Sequence, residues 1–285
     1  MDTTVVSRSL QRVIAGMPTS DGAGVKLRRT LGQGQGSRLD PFLMLDEFGS
    51  DNPDEYIAGF PPHPHRGFET ITYMLEGRMR HEDHLGNVGL LESGGVQWMT
   101  AGRGVIHSEM PQQEQGVMRG FQFWLNLPSR RKLDPPAYRD FSSGEVPRCA
   151  LAGGSEAVVI AGRLQAAGVS QVGAVQRADT EPLIVDFKLA PGSQLVPEIP
   201  DGHRLLLYVF EGEALVNDQP VGTRQLARLG DQGELRLTSP TGGRVLLLAG
   251  KPLGEPIVQY GPFVMNTREE VEQALRDFRE GTFAG

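Results

Sequence analysis

Glycine and proline recur at short intervals along the whole chain, 37 and 20 of them in 285 residues, and this punctuation restricts the fold more than any other feature. Inside a helix glycine costs about 1 kcal/mol and proline about 3 kcal/mol relative to alanine, so long helices are excluded over most of the sequence. Between the breaks stand short segments rich in β-branched and aromatic residues, such as Glu69-Thr70-Ile71-Thr72-Tyr73-Met74-Leu75-Glu76 and Leu205–Phe210. The pattern predicts an all-β protein of many short strands joined by turns, a barrel or a sandwich. One helix is expected at 268–280, where Thr267 and Glu270 fit a capping box and Val271, Ala274, Leu275 and Phe278 share a face.

The length favours two domains, each able to bury a core. The stretch Pro128–Pro147, with Arg130-Arg131-Lys132, Pro135-Pro136 and Ser142-Ser143-Gly144, reads as a linker. This divides the chain into 1–135, a linker at 136–150, and 151–285. Tyr73-Met74-Leu75-Glu76-Gly77 recurs as Tyr208-Val209-Phe210-Glu211-Gly212 at an offset of 135, and the same offset carries Gly95 onto Gly230, as a duplicated barrel would leave behind.

Thirty-five acidic against 28 basic side chains give a net charge of −7, which opposes binding to nucleic acid. No apolar run approaches the ~20 residues of a membrane span. The first eight residues lack the basic-then-apolar order of a secretory signal, and the single cysteine, Cys149, excludes an intramolecular disulfide. A cytoplasmic monomer is expected.

Chemistry concentrates between Phe60 and Met110. His63-Pro64-His65 is answered, 42 residues after His65, by His107-Ser108-Glu109. In a strand, residues i and i+2 share a face, so each pair offers two donors to one point. Two neighbouring strands of this kind would surround one ion with three imidazoles and a carboxylate. That set suits Fe, Mn, Co, Ni, Cu or Zn, and an octahedral shell would keep two positions open. Structural zinc sites are usually built with cysteines, of which there is one here. Glu109 would serve as ligand and as catalytic base for a bound hydroxyl. Pro64 cannot donate to a sheet ladder, which puts this segment at an edge or a barrel mouth. The glycines of Ala101-Gly102-Arg103-Gly104 permit the sharp approach to His107.

Other candidates have simpler readings. Gly32-Gln33-Gly34-Gln35-Gly36 is a loop, because no phosphate-binding context follows it. Asp46 and Glu47 face opposite ways on a strand and read as solvated or loop-capping carboxylates. His81 and His84, three apart in the charged stretch Arg80–His84, read as a solvated strand or turn. In the strand 120–127, Phe121, Phe123, Leu125 and Leu127 make one face core, while Gln122, Trp124 and Asn126 face a cavity. Ser108 lies between two ligands and Cys149 has no partner, so neither reads as a nucleophile. The offset of 135 maps His63 and His65 onto Glu198 and Pro200, and His107 and Glu109 onto Gly242 and Arg244. Only the first half should therefore hold metal, one ion per chain, and His203 reads as a surface or satisfied core residue.

The chain resembles the pirin family, a branch of the cupins. The likeness rests on Leu39–Phe48, on Pro62-His63-Pro64-His65-Arg66-Gly67-Phe68-Glu69-Thr70, on Gln97–Met110 with its Thr100-Ala101-Gly102-Arg103-Gly104 turn, and on Gly261-Pro262-Phe263-Val264-Met265-Asn266-Thr267. The resemblance implies two cupin-type, jelly-roll β-barrels in tandem. It also implies iron, as Fe(II), held in the first barrel by His63, His65, His107 and Glu109, with a metal-free second barrel. In other cupins a glutamate at a place like Glu69 is a ligand; the pirin pattern uses the one matching Glu109. Two functions are implied: a quercetin 2,3-dioxygenase-type activity on flavonol-like aromatic substrates with O2, or an iron-dependent regulator that binds a transcription factor or metabolic enzyme as a redox switch.

Overall fold

A computed structural model describes residues 6–32 and 38–283. Four of the five residues of the Gly32–Gly36 loop lie outside the described residues. The chain forms two compact units, one of Met17–Glu145 with Leu253–Gly285, the other of Met1–Gly16 with Val146–Pro252. The first will be called the histidine unit and the second the apolar unit.

This partition differs from a division at a linker 136–150. Ala137–Phe141, expected in the linker, is an edge strand of the histidine unit paired with Val96–Thr100. Leu10–Ala15, expected in the first domain, pairs antiparallel with Gln225–Leu229 of the apolar unit. A strand belongs where its ladder partners are, and sequence distance does not limit that choice.

Both units are two-sheet β-barrels with the same plan. In the histidine unit a seven-stranded sheet runs in the order Ala137–Phe141, Val96–Thr100, Phe68–Glu76, Met118–Asn126, Phe42–Ser50, Val25–Leu31, Met17–Asp21. Its four-stranded partner runs Phe60–His65, Val105–Pro111, Arg78–Asp83, Val88–Glu92. The apolar unit repeats the arrangement with Leu10–Ala15, Gln225–Leu229, Arg204–Gly212, Gly243–Gly250, Leu183–Leu189, Glu156–Ala161, Arg148–Ala150 and, in the smaller sheet, Ser193–Leu195, Leu237–Ser239, Ala214–Val216, Gln219–Val221.

The repeat is therefore real, and its offset is not constant. Phe68–Glu76 takes the place of Arg204–Gly212, at the 135 read from the sequence, but Val96–Thr100 takes the place of Gln225–Leu229 at an offset of 130, Gln97 matching Ala227, so Gly95 and Gly230 do not correspond. Loops of unequal length separate equivalent strands. By place in the sheet, His63 and His65 correspond to Ser193 and Leu195, and His107 to Ser239. The residues mapped by a fixed offset differ, but the second copy still lacks the imidazoles.

The interiors differ as the chemistry requires. In the apolar unit 23 buried hydrophobic residues from both sheets form one cluster. There Leu207 lies between Leu247 and Ala227. The same places in the histidine unit hold Thr72 between Gln122 and Gln97. Buried polar groups are tolerated only with partners, so this substitution marks a site inside the barrel.

The C-terminal segment is locked to the histidine unit by two buried cations. Arg66, next to His65, donates to Asp277 Oδ2 (2.6 Å), to the Phe283 carbonyl (3.0 Å) and to the Arg103 carbonyl. Lys132 Nζ donates to the Gly67 carbonyl (2.7 Å), Asn126 Oδ1 (2.6 Å) and the Val264 carbonyl (2.9 Å), and burial pushes its pKa down to about 7. Gly67 has φ +91°, and a Cβ there would run into the Val264 carbonyl oxygen, so only glycine fits. The helix occupies Arg268–Glu280 as expected, with Thr267 and Glu270 forming the reciprocal capping box. In the apolar unit Arg8, 1% exposed, donates to the carbonyls of Ile199, Pro200, His203, Gly230 and Gly233 and so fixes the N-terminal segment.

Candidate metal centre

Antiparallel pairing sets His107 directly opposite His63 and Val105 opposite His65, which brings both motifs to one spot on the smaller sheet. His63, His65 and His107 each place a ligand atom within 4.8 Å of the others. Their ring centroids lie 4.4 to 4.9 Å apart. Phe68 and Trp124 pack edge-on against the His65 ring, at 5.1 and 5.3 Å.

The ring nitrogens show what the cluster fits. His63 Nδ1–H donates to the Pro61 carbonyl at 2.8 Å, which leaves Nε2 with a lone pair. Nε2 of His107 is buried without a hydrogen-bond partner, and both nitrogens of His65 are buried without an aligned one, the Pro262 carbonyl lying beside the ring. Burial first, and then the neighbouring imidazoles, hold His65 and His107 well below the usual histidine range, so both are neutral, the form that binds metal. Buried imidazole nitrogens without partners are costly unless an ion completes them. The three histidines therefore fit a divalent transition metal.

Glu109 is 2% exposed, on the same strand face as His107. Its carboxylate accepts from Thr72 Oγ1 (3.2 Å) and from Gln122 Nε2 (3.1 Å), both on the larger sheet. The group of ligand atoms within 4.8 Å comprises the three histidines and not Glu109. Glu69, 2% exposed, accepts a 2.7 Å hydrogen bond from Thr100 Oγ1 and is also outside that group.

A cavity of about 510 Å³ opens onto His63 and His65. Leu43, Met44, Phe60, Pro61, Pro62 and Trp124 give it apolar walls, and Gln122, Arg29 and Gln259 give it polar points. The expectation that Gln122 and Trp124 face a cavity holds. Asn126 does not line it; its Oδ1 is taken by Lys132. Arg29 is held at the wall by a two-pronged bond to Asp46, Nε to Oδ1 at 2.8 Å and Nη2 to Oδ2 at 2.6 Å.

Two local readings are corrected, and a third holds. Asp46 and Glu47 are not solvated: they are 2% and 9% exposed and pair across strands with Arg29 and Arg119. Each acid faces an arginine of the neighbouring strand, a partner that local sequence does not display. His84 is exposed as expected, but His81 is 0% exposed, with Nδ1 at 3.3 Å from Nδ1 of His107. The charges at Arg80 and Glu82 suggested a solvated strand; they face outward while His81 and Asp83 turn inward, as period-two alternation allows. His203 is buried, 3.5 Å from Glu181, and belongs to no metal-binding group among the described residues.

Comparison with known proteins agrees with this picture. The family model for pirin matches residues 24–125, and that for the pirin C-terminal cupin domain matches 184–284. A Pseudomonas aeruginosa protein named "Putative quercetin 2,3-dioxygenase" is 61% identical over 280 residues, 97% of this chain and 98% of its own. Human pirin is 40% identical over 267 residues, 91% of this chain and 88% of its own. The crystal structure of quercetin 2,3-dioxygenase from Acinetobacter baumannii superposes with a TM-score of 0.90 at 34% identity, covering 98% of this chain and 99% of that one. The nickel(II) complex of the bacterial pirin YhhW from Escherichia coli shares the fold, with a TM-score of 0.64 at 18% identity over 85% of this chain and 98% of that one. No helix among the described residues is long and apolar enough to cross a membrane. Two barrels of one plan, a three-histidine cluster in one of them, and relatives matched over nearly their whole length lead to one assignment: the chain belongs to the pirin family.

Proposed function

We propose that the protein is a metal-dependent dioxygenase of the quercetin 2,3-dioxygenase type, acting on flavonol-like aromatic substrates with O2. The observation that carries this reading is the opening of an apolar-walled cavity onto two of three clustered histidines. His63, His65 and His107 would hold one divalent ion, Fe(II), with Glu109 as the fourth ligand. The bound ion supplies Lewis acidity and open positions for a substrate hydroxyl and dioxygen.

The chain's own residues then have defined tasks. Trp124, Met44, Leu43 and the Pro61-Pro62 corner face a flat aromatic ligand and exclude water. Glu109 takes the proton of the hydroxyl that enters beside it. Thr72 and Gln122 hold its two oxygens in place before the substrate arrives, which is the preorganisation a base requires. The relatives named for quercetin 2,3-dioxygenase support the substrate class.

The test is aerobic turnover of quercetin by the iron-loaded chain, read as loss of flavonol absorbance. Glu109→Gln keeps the size of the side chain and removes the base, and is expected to lower kcat by about 10²- to 10⁴-fold. Wild-type turnover no faster than that of the variant, with a full complement of metal, would refute the enzymatic reading and favour the metal-dependent regulator.

A further inference from the structure

Behind the three-histidine cluster, away from the cavity, lies a second buried row of polar side chains that the proposed reaction does not use. Strand Arg78–Asp83 pairs with Val105–Pro111 so that Asp83 stands opposite His107 and His81 opposite Glu109. All four side chains therefore share the inward face. The His81 side chain is 0% exposed and that of Asp83 is 1% exposed. His81 Nδ1 is 3.3 Å from His107 Nδ1, and His81 Nε2 is 3.5 Å from Asp83 Oδ2. On its other side His81 stacks on Tyr138, with centroids 4.3 Å apart and planes 20° apart. The Tyr138 hydroxyl donates to Asp140 Oδ2 at 2.5 Å and accepts from Gln97 Nε2 at 3.2 Å, so the stacking ring is itself fixed.

Two Nδ1 atoms that face each other can bond only if one carries hydrogen and the other a lone pair. His107 Nε2 is buried, lacks a hydrogen-bond partner and belongs to the ring that joins the metal cluster, so it is the atom that must present a lone pair. The hydrogen of His107 then sits on Nδ1 and is donated to His81. His81 in turn carries its hydrogen on Nε2, the nitrogen that faces the Asp83 carboxylate. The opposite polarity would aim a lone pair of His81 at a carboxylate and a hydrogen of His107 into the cluster. The first polarity makes the Nδ1–Nδ1 bond, leaves a lone pair in the cluster and turns the His81 Nε2–H toward Asp83, although Nε2 makes no hydrogen bond there and Asp83 Oδ2 accepts from Asn87 Nδ2 at 2.7 Å; the opposite polarity makes only the Nδ1–Nδ1 bond.

We infer that His81, backed by Asp83 and clamped by Tyr138, is a positioning residue that fixes His107 as its Nδ1–H tautomer and aims His107 Nε2 at the ion. This rests on the metal-centre reading and extends it outward, because the hydrogen bond on the far nitrogen of a ligating histidine sets both its orientation and its donor strength. His63 is treated alike by the Pro61 carbonyl. The His65 ring faces the Pro262 carbonyl, without an aligned hydrogen bond.

The test uses the full chain labelled with 15N at histidine, first without metal. Long-range proton–nitrogen spectra should show His107 as the Nδ1–H tautomer in the wild type. His81→Leu removes the acceptor and should release His107 to the Nε2–H form. His81→Asn, whose Oδ1 can take the place of Nδ1, should restore Nδ1–H. Competition with a chromophoric chelator for Co(II) should then show a 10- to 100-fold weaker affinity in His81→Leu and near wild-type affinity in His81→Asn. An Nε2–H tautomer in the wild type overturns the proposal without any variant, so a variant that fails to fold does not shelter it. Equal loss of affinity in both variants also overturns it, since packing alone would explain that. A wild-type chain that shows Nδ1–H but takes no metal refutes the metal-centre reading and leaves the His81–His107 bond standing.

Discussion

Replacing Lys132 with methionine tests how the histidine unit holds its C-terminal segment. Lys132 is 1% exposed and its three hydrogen bonds end on Gly67, Asn126 and Val264. Burial is the largest influence on its pKa and lowers it from 10.5 to about 7. In the unfolded chain the amine titrates near 10.4. Below pH 7 both states carry the proton, and the folded state bears the cost of a buried ammonium. Between pH 7 and 10.5 the unfolded state binds more protons than the folded one, so stability must rise with pH, by up to about 1.4 kcal/mol per unit. Lys132→Met cancels this contribution while keeping an unbranched side chain only one atom shorter. The difference in unfolding free energy between wild type and variant should therefore shift in favour of the wild type by about 2 to 3 kcal/mol from pH 7.5 to 9.5. Urea titration followed by tryptophan fluorescence reads it directly, because both tryptophans, Trp98 and Trp124, lie in the histidine unit. A difference that stays constant over this range would refute the reasoning. It would mean that the three oxygens keep the ammonium charged despite its burial.

Two further outcomes follow from the same unit. Gly67→Ala should destabilise it by about 3 to 5 kcal/mol, because the residue adopts φ +91° and its Cβ would meet the Val264 carbonyl; unchanged urea midpoints would contradict this close approach. Elemental analysis should give one ion per chain in the wild type and none in the His63→Ala, His65→Ala double variant, which removes two of the three clustered imidazoles. Two ions per chain would overturn the absence of a second centre.

The histidine cluster was legible in the sequence because its signal is local. His63, His65 and His107 sit in two short strands whose period-two spacing already aims them, and the antiparallel register only had to bring the strands together. Thr267 and Glu270 likewise announce the helix within four residues. What stayed hidden depends on partners far along the chain. The inward turn of His81 is visible only once His107 and Tyr138 are packed against it. Asp46 looks solvated until Arg29 on the next strand is seen to hold it. The alternation of Arg80 and Glu82 with His81 and Asp83 was a usable signal, but a run of charges masked it. The unit boundaries were illegible for the same reason, because ladder partners for Leu10–Ala15 appear more than two hundred residues later.

That interleaving of the chain governs how the protein can be made. Residues 17–145 leave the ribosome without the helix Arg268–Glu280 and the segment before it, which complete their unit, and 253–285 follow only after the intervening 107 residues have been translated. At about 5 to 20 residues per second the wait is roughly 5 to 20 s. During it Lys132 and Arg66 have acquired neither the Val264 carbonyl nor Asp277. The apolar unit, although it contains the N-terminal strand, is complete first. The part of the molecule that carries the histidines is thus the last to be completed: every strand of its two sheets is already made, but Gln259, Gly261 and Pro262, which line the cavity beside His63 and His65, come last.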